Sequence, residues 1–177
     1  NTRGLFAFHL STSIDYTLTA RHEDGNGSGW GAASSHRRQG IDEASVTHRA
    51  VQKAIASENP AELAPGTYPV VLEASAVGDM LNLFAGNLDR RQADEGRSYF
   101  SDAKKGTKIG ETLFGADVTI YSDPTHPVVP STPWGGDGLP LGRTVWVDHG
   151  VLKDLSVGRF WAEKKGLAPL SSGSNII

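Results

Sequence analysis

Strict alternation of apolar and polar side chains over residues 13–22, SIDYTLTARH, is the pattern that most restricts the fold of this chain. An apolar residue at every second position buries one face of the segment and leaves the other in water, as in a β-strand. The turn residues Glu23–Gly27 follow, and residues 28–35 supply a return strand. Together with the apolar residues 4–10, this pattern predicts a three-stranded antiparallel meander.

Two amphipathic helices are predicted next. Asp42 is placed to cap a helix over 43–57, and Asn59-Pro60 ends it because a residue before proline disfavours helical backbone. A short apolar strand is predicted over 68–72. Residues 72–88, LEASAVGDMLNLFAGNL, then show apolar side chains at steps of three and four residues. The predicted buried stripes are Val46, Ala50, Val51, Ala54 and Ile55 in the first helix, and Val77, Met80, Leu81, Phe84 and Leu88 in the second.

The remaining residues favour strands and loops. A strand is predicted over 117–121, followed by a loop rich in proline and glycine over 122–140. A hairpin over 143–157 turns at Asp148–Gly150. Strands flanking two helices, with hairpins prominent, predict an α+β fold with mixed, largely antiparallel sheets and two main helices.

Composition restricts the partners and the compartment. The 177 residues carry a net charge of −3 with acidic and basic residues interspersed, so neither a nucleic-acid partner nor a membrane partner is expected. No run of about 18 apolar residues is present that could span a bilayer. The absence of cysteine excludes disulfides, thiolate metal ligands and a cysteine nucleophile within these residues, and it fits a cytoplasmic location.

No local motif specifies an active site. The six histidines include no pair at the i, i+4 spacing of a helical metal site, and no G-x-S-x-G nucleophile turn is present. The long loop 122–140 is a candidate contact surface for a peptide or partner, because long loops without secondary structure are often binding elements. Its candidate residues are His126, Trp134 and Asp137; a metal site formed by His126 with Asp123 and Asp137 is a weaker alternative.

Six stretches in order resemble one family. They are GTYPVVL at 66–72, EGRS at 95–98, IGE at 109–111, Asp123-Pro124, WGGDGLP at 134–140 and GVLK at 150–153. Their order and spacing resemble the TldD/PmbA family, described as modulators of DNA gyrase and as zinc metalloproteases. The resemblance implies a part of a longer chain: residues 1–60 as the end of the N-terminal-side region, with meander and helix, and residues 61–177 as the start of the C-terminal domain.

The same resemblance assigns a role to the second helix. In the TldD branch this helix carries H-E-x-x-x-H, in which the histidines bind zinc and the glutamate is the general base. The motif falls here on residues 74–79, so its three functional positions are Ala74, Ser75 and Asp79, and residues 72–88 contain no histidine. The sequence therefore predicts no metal, no cofactor and no catalytic residue in this helix.

The resemblance then implies a PmbA/TldE-like subunit associated with proteolysis. Such a chain would bind peptides or unfolded segments and pair with a homologous TldD-type subunit that holds the zinc, or with itself as a dimer. Two alternatives remain open: an active metallopeptidase or other hydrolase with a different site, using His126, Asp137 or residues elsewhere, and a peptide- or protein-binding scaffold without a link to proteolysis.

Overall fold

The computed structural model describes residue 4 and residues 6–177 and divides the chain into two compact units. We call Leu10–Ser75 the hairpin–helix unit, and Asn1–His9 with Ala76–Ile177 the mixed unit. Helices and small antiparallel sheets occur together, so the predicted α+β class is confirmed. Across the described part of the chain, no helix combines the length and the apolar character that a membrane crossing requires.

The first unit begins with the predicted hairpin. Strand β1 (Ile14–Arg21) pairs antiparallel with β2 (Ser28–Ser35) in continuous register. The predicted third strand over residues 4–10 is wrong where it can be described, because residues 6–10 form no strand and this sheet has two strands. Its member Leu5 lies outside the described residues. Phe6, Phe8 and Leu10 face no sheet and are more than 70% exposed.

Helix α1 (Glu43–Ala56) starts where its cap was predicted. The Asp42 carboxylate accepts a hydrogen bond from the Ser45 N–H at 3.0 Å. Val46, Ala50 and Ala54 are buried as expected, whereas Val51 and Ile55 are 40% and 56% exposed. The predicted apolar stripe was therefore too wide, because α1 packs on the two-stranded hairpin through one narrow face.

Glycines on β2 allow α1 to lie unusually close to the strand. A Cβ atom at Gly29 would lie 2.1 Å from the Ala50 carbonyl oxygen, and one at Gly31 would lie 2.6 Å from the Val46 oxygen. Both glycines are buried and alternate with outward residues. The contact therefore joins backbone to backbone, which only glycine permits at this distance.

The outer edge of β2 is covered by side chains of α1 and of Ser57, the residue that caps the end of this helix. The Ser57 hydroxyl bonds both the N–H and the carbonyl of Ser28. Lys53 Nζ donates to the Trp30 oxygen at 3.0 Å, and Arg49 Nη2 donates to the Ala32 oxygen at 3.3 Å. Four residues of helix rise about 6 Å and two residues of strand span about 6.6 Å, so the two periods match.

The segment between α1 and the next helix has no regular structure. The strand predicted over 68–72 is wrong: this stretch pairs with no strand, and Val70 and Val71 are 73% and 99% exposed. Pro69 lacks the N–H that a ladder requires, which is one physical reason for the failure.

The mixed unit holds one main core. Helix α2 (Ala74–Ala85) crosses the boundary between the units in sequence, and the shorter helices are α3 (Arg90–Asp94) and α4 (Arg159–Lys165). Among the described residues of this unit, the strands form two antiparallel sheets. One pairs β3 (Ser101–Asp102) with β4 (Gly106–Thr107); the other has the order β5–β6–β7, with β5 Ile120–Ser122, β6 Thr144–Asp148 and β7 Val151–Leu152.

The predicted hairpin of this unit is confirmed, with shorter strands. His149 and Gly150 make its turn with φ of 47° and 80°. The second strand ends at Leu152 rather than 157, and the strand predicted over 117–121 begins only at Ile120. The preceding Val118 carbonyl instead accepts the Gly150 N–H at 2.8 Å, which ties the turn to the approach of β5.

Helix α2 contributes little to this core. Its main buried members are Leu88, Ala93, Phe100, Ile120, Trp146, Val147, Leu152 and Leu155. From the predicted stripe, Leu81 and Phe84 are partly buried and Leu88 is fully buried beyond the helix end. Val77 and Met80 are 40% and 59% exposed, so their predicted burial is wrong. The spacing of apolar residues correctly predicts a helix here, but it does not predict which of its side chains other elements cover.

Candidate functional site

Ala74 and Ser75, the first two positions that the resemblance assigns to the zinc motif, line a cavity in the hairpin–helix unit. Its volume is about 310 Å³. Ala74 and Ser75 form one wall and are exposed, and the opposite walls come from β2 and α1. The lining consists of Trp30, Gly31, Ala32, Arg49, Lys53, Glu73, Ala74 and Ser75. Asp79, the third position, lies one turn further along α2 and is also exposed.

Cationic side chains dominate this cavity. Arg49 and Lys53 stand four residues apart on α1, on the side that faces the β2 edge. Glu73 is the one carboxylate in the lining, and it pairs with Lys53 at 2.5 Å. Two cations and one carboxylate give the lining a formal charge of +1. Its hydrogen-bonding groups are mainly donors.

The residues present do not fit a zinc ion. At the three family positions stand a methyl group, a hydroxyl and a single carboxylate, whereas zinc sites use three or four nitrogen, sulfur or carboxylate ligands. Within residue 4 and residues 6–177, no three His, Asp or Glu side chains are grouped to hold a metal ion. The positive charge of Arg49 and Lys53 beside Ala74 and Ser75 further disfavours a divalent cation there.

The loop 122–140 is organised into two compact parts, of which the first is a turn around Asp123. The Thr125 hydroxyl and N–H both donate to the Asp123 carboxylate and lower its pKa. His126 Nδ1 accepts hydrogen bonds from the Val128 and Val129 N–H groups at 3.3 Å each. The Asn175 amide donates to the Asp123 and Val129 carbonyls at 2.6 Å each, which closes the turn.

The second part of the loop is a small hairpin over 133–141. The Gly135 N–H donates to the Leu139 carbonyl and the Leu141 N–H to the Pro133 carbonyl, both at 2.9 Å. The half-buried Trp134 meets His9 edge to face at 6.1 Å.

Asp137 fixes this hairpin to the C-terminal segment. The Ser171 hydroxyl donates to the Asp137 carboxylate at 2.6 Å and lowers its pKa, and the Leu139 N–H acts in the same direction. In the described chain, the hydrogen-bond partners of Asp137 and Ser171 include no histidine, so these contacts tie the hairpin to the C-terminal segment without forming a serine–histidine pair.

The structure thus gives His126, Trp134 and Asp137 different partners within one anchored loop. Sequence reasoning missed the residues that hold it, Ser171 and Asn175, because they lie 34 to 52 positions away in the chain. It also missed Arg49 and Lys53. Their four-residue spacing places them on one face of α1, and this was the available sequence signal. The cavity that they line also needs β2 and Glu73, which are distant in sequence.

Comparison with known proteins decides the family. The sequence pattern of the PmbA/TldA metallopeptidase C-terminal domain matches residues 65–176, which is more than half of the chain. The chain belongs to the TldD/PmbA family. A relative from Methanothermobacter thermautotrophicus named "Metalloprotease" is 25% identical over 185 aligned positions, which cover all of this chain and 39% of that protein. This TldD/PmbA chain therefore spans about two fifths of the length of that curated relative.

Solved structures of similar proteins share the TldD/PmbA fold. One from Thermotoga maritima, described as a modulator of DNA gyrase, is 24% identical with a TM-score of 0.73, over 92% of this chain and 36% of that one. One of the same description from Bacteroides thetaiotaomicron is 19% identical with a TM-score of 0.73, over 93% and 37%. TldE from Thermococcus kodakarensis is 18% identical with a TM-score of 0.62, over 93% and 38%.

Proposed function

We propose that this chain is a PmbA/TldE-like subunit that has no zinc site of its own and acts in proteolysis with a TldD-type metallopeptidase subunit. The chain belongs to the family, and we propose its branch, its pairing and its cytoplasmic location. The single observation that carries the branch is the donor set at Ala74, Ser75 and Asp79. A methyl group and a neutral hydroxyl replace a ligand and a general base, and they face Arg49 and Lys53 rather than other ligands.

The peptide-binding part of the proposal is supported by the loop 122–140. Asn175 and Ser171 hold its two turns in place, so a partner would not have to order them on binding. Val128 and Val129 remain 66% and 43% exposed at its surface. His126, Trp134 and Asp137 belong to this anchored loop, and we assign it to contacts with a peptide or with the homologous subunit.

The test is to measure zinc content and peptidase activity of the full-length protein, alone and mixed with a TldD-type homologue that carries H-E-x-x-x-H. The isolated protein is expected to bind no stoichiometric zinc and to cleave no peptide. The mixture is expected to co-elute as a complex and to cleave unfolded peptides, with zinc in the homologue. Stoichiometric zinc with activity in the isolated protein would overturn the proposal.

A matched pair of variants sharpens this test. Asp79→Asn removes the one carboxylate among the three family positions, and Asp15→Asn removes an exposed carboxylate on β1. Neither variant is expected to change zinc content or the activity of the mixture. A loss of zinc or activity specific to Asp79→Asn would mean that this helix does hold a metal.

A further inference from the structure

The cavity between α1, β2 and the start of α2 has more hydrogen-bond donors than its walls can use. Arg49 donates to the Ala32 carbonyl, which engages one of the five N–H groups of a guanidinium. Lys53 donates to the Trp30 carbonyl and to Glu73, which engages two of three. The Ser75 hydroxyl stands on the facing wall. Arg49 is exposed and Lys53 is half-buried, so their remaining donors are accessible to an acceptor ligand in place of water.

We propose that this cavity binds a carboxylate group, and that the group is the free C-terminal carboxylate of a peptide. A guanidinium binds a carboxylate through two parallel N–H···O bonds, which gives Arg49 the main role. The cavity, at about 310 Å³, is at the small end of the range of ligand sites, so it holds one chain end rather than a folded surface. The carboxylate site is inferred from these walls; the choice of a peptide as its carrier rests on the proposed function.

The charge of the walls selects a monoanion. Arg49 and Lys53 contribute +2 and Glu73 contributes −1, so one carboxylate neutralises the cavity, whereas a phosphate dianion would leave it negative. Trp30, 44% exposed, adds an apolar surface next to the cations and a spectroscopic reporter. Glu73 opposes the ligand by like charge, so its removal is expected to tighten binding.

The experiment titrates the full-length protein with three probes by calorimetry: N-acetyl-Ala-Ala with a free carboxylate, the same dipeptide as its C-terminal amide, and inorganic phosphate. The acid is expected to bind at least about tenfold more tightly than the amide, because hydrogen bonds to a charged group are the stronger ones. Phosphate is expected to bind more weakly than the acid. Equal binding of acid and amide would overturn the carboxylate site, and tighter binding of phosphate would overturn the peptide carrier.

Variants locate the site. Arg49→Gln is expected to weaken binding of the acid by about tenfold or more, while Arg21→Gln, at an exposed arginine of β1 outside the cavity, is expected to leave it unchanged. Glu73→Gln is expected to tighten binding of the acid several-fold. A misfolded variant would not bind more tightly, so this gain cannot result from misfolding. Equal losses in the two arginine variants, or no gain in Glu73→Gln, would refute the assignment. Zinc content and peptidase activity of the mixture are separate readouts, so this inference and the proposed function can fail independently.

Discussion

Helices α1 and α2 look alike in sequence and differ in what they bury. Both repeat apolar residues at steps of three and four, and α2 is the more apolar of the two. Yet α1 has three buried residues and α2 has none. The difference arises from the partner: Gly29 and Gly31 let α1 sink onto β2, whereas Val77, Met80 and Leu83 on α2 remain exposed. In these two helices, an apolar side chain is buried only where another element offers a complementary surface. The amphipathic pattern alone does not determine its burial.

The largest expected effect comes from filling the space under α1. In Gly29→Ala the new Cβ would meet the Ala50 oxygen at 2.1 Å, so strand and helix must separate, at a cost of about 3 kcal/mol or more in the free energy of unfolding. The control is Gly78→Ala on α2, where a Cβ would meet no atom within 4 Å. There we expect a gain of up to about 1 kcal/mol from helix propensity.

Urea denaturation would measure both glycine variants, and hydrogen exchange of the β1–β2 amides would locate the effect of Gly29→Ala. The two variants would have to shift stability in opposite directions. A neutral Gly29→Ala would mean that α1 does not lie in backbone contact with β2 and that these glycines do not explain the burial of α1.

Truncating one valine in each helix is the next test. Val46 on α1 is 1% exposed and Val77 on α2 is 40% exposed. We expect Val46→Ala to lower the free energy of unfolding by about 2 kcal/mol, from lost burial and the cavity left behind. Val77→Ala is expected to change it by less than about 0.5 kcal/mol, as exposed substitutions do. Similar losses in chemical denaturation would show that α2 is covered after all.

The start of α1 gives a smaller effect. Asp42→Ala removes the acceptor for the Ser45 N–H and is expected to cost about 1 kcal/mol, the usual value for a lost helix cap. Asp42→Asn keeps an acceptor oxygen and should retain most of the stability. Thermal unfolding followed by circular dichroism would compare the three proteins, and an unchanged Asp42→Ala would show that the cap contributes nothing.

The smallest expected effect is a pH dependence near the end of α1. Hydrogen bonding to Asp24 raises the pKa of His22, and the charges of Asp24 and Glu58 act in the same direction. The pKa of His22 is higher in the folded than in the unfolded protein, so protonated His22 contributes to the free energy of unfolding. This contribution is fully present below the unfolded pKa. It is lost as the pH rises through the folded pKa.

An NMR titration of the His22 ring would measure this shift. Asp24→Asn is expected to return the His22 pKa toward its ordinary value, and Asp15→Asn, elsewhere on the hairpin, should not. A His22 pKa that is unchanged in Asp24→Asn would contradict the contact between His22 and Asp24.

Local signals account for what the sequence predicted correctly. The alternation of residues 13–22, the turn glycines and the Asp42 cap act within a few residues, and the hairpin and α1 match them closely. The strand expected over 68–72 failed because a strand needs a partner, which no local pattern specifies. The anchors Ser171 and Asn175, and the charged cavity beside Ala74 and Ser75, depend on residues far apart in sequence. Motif comparison could locate these helix positions, but it could not show their electrostatic surroundings.

The capping of the β2 carbonyls has a consequence for how the protein behaves in solution. An uncapped sheet edge is a template on which another chain can form a strand, and it invites aggregation. Arg49, Lys53 and Ser57 bond three carbonyls along this edge, and two of these side chains carry charge that repels a second copy approaching in the same way. These three side chains therefore make the β2 edge a poorer template for a second strand, and we expect a variant without both cations to lose solubility before it loses its fold.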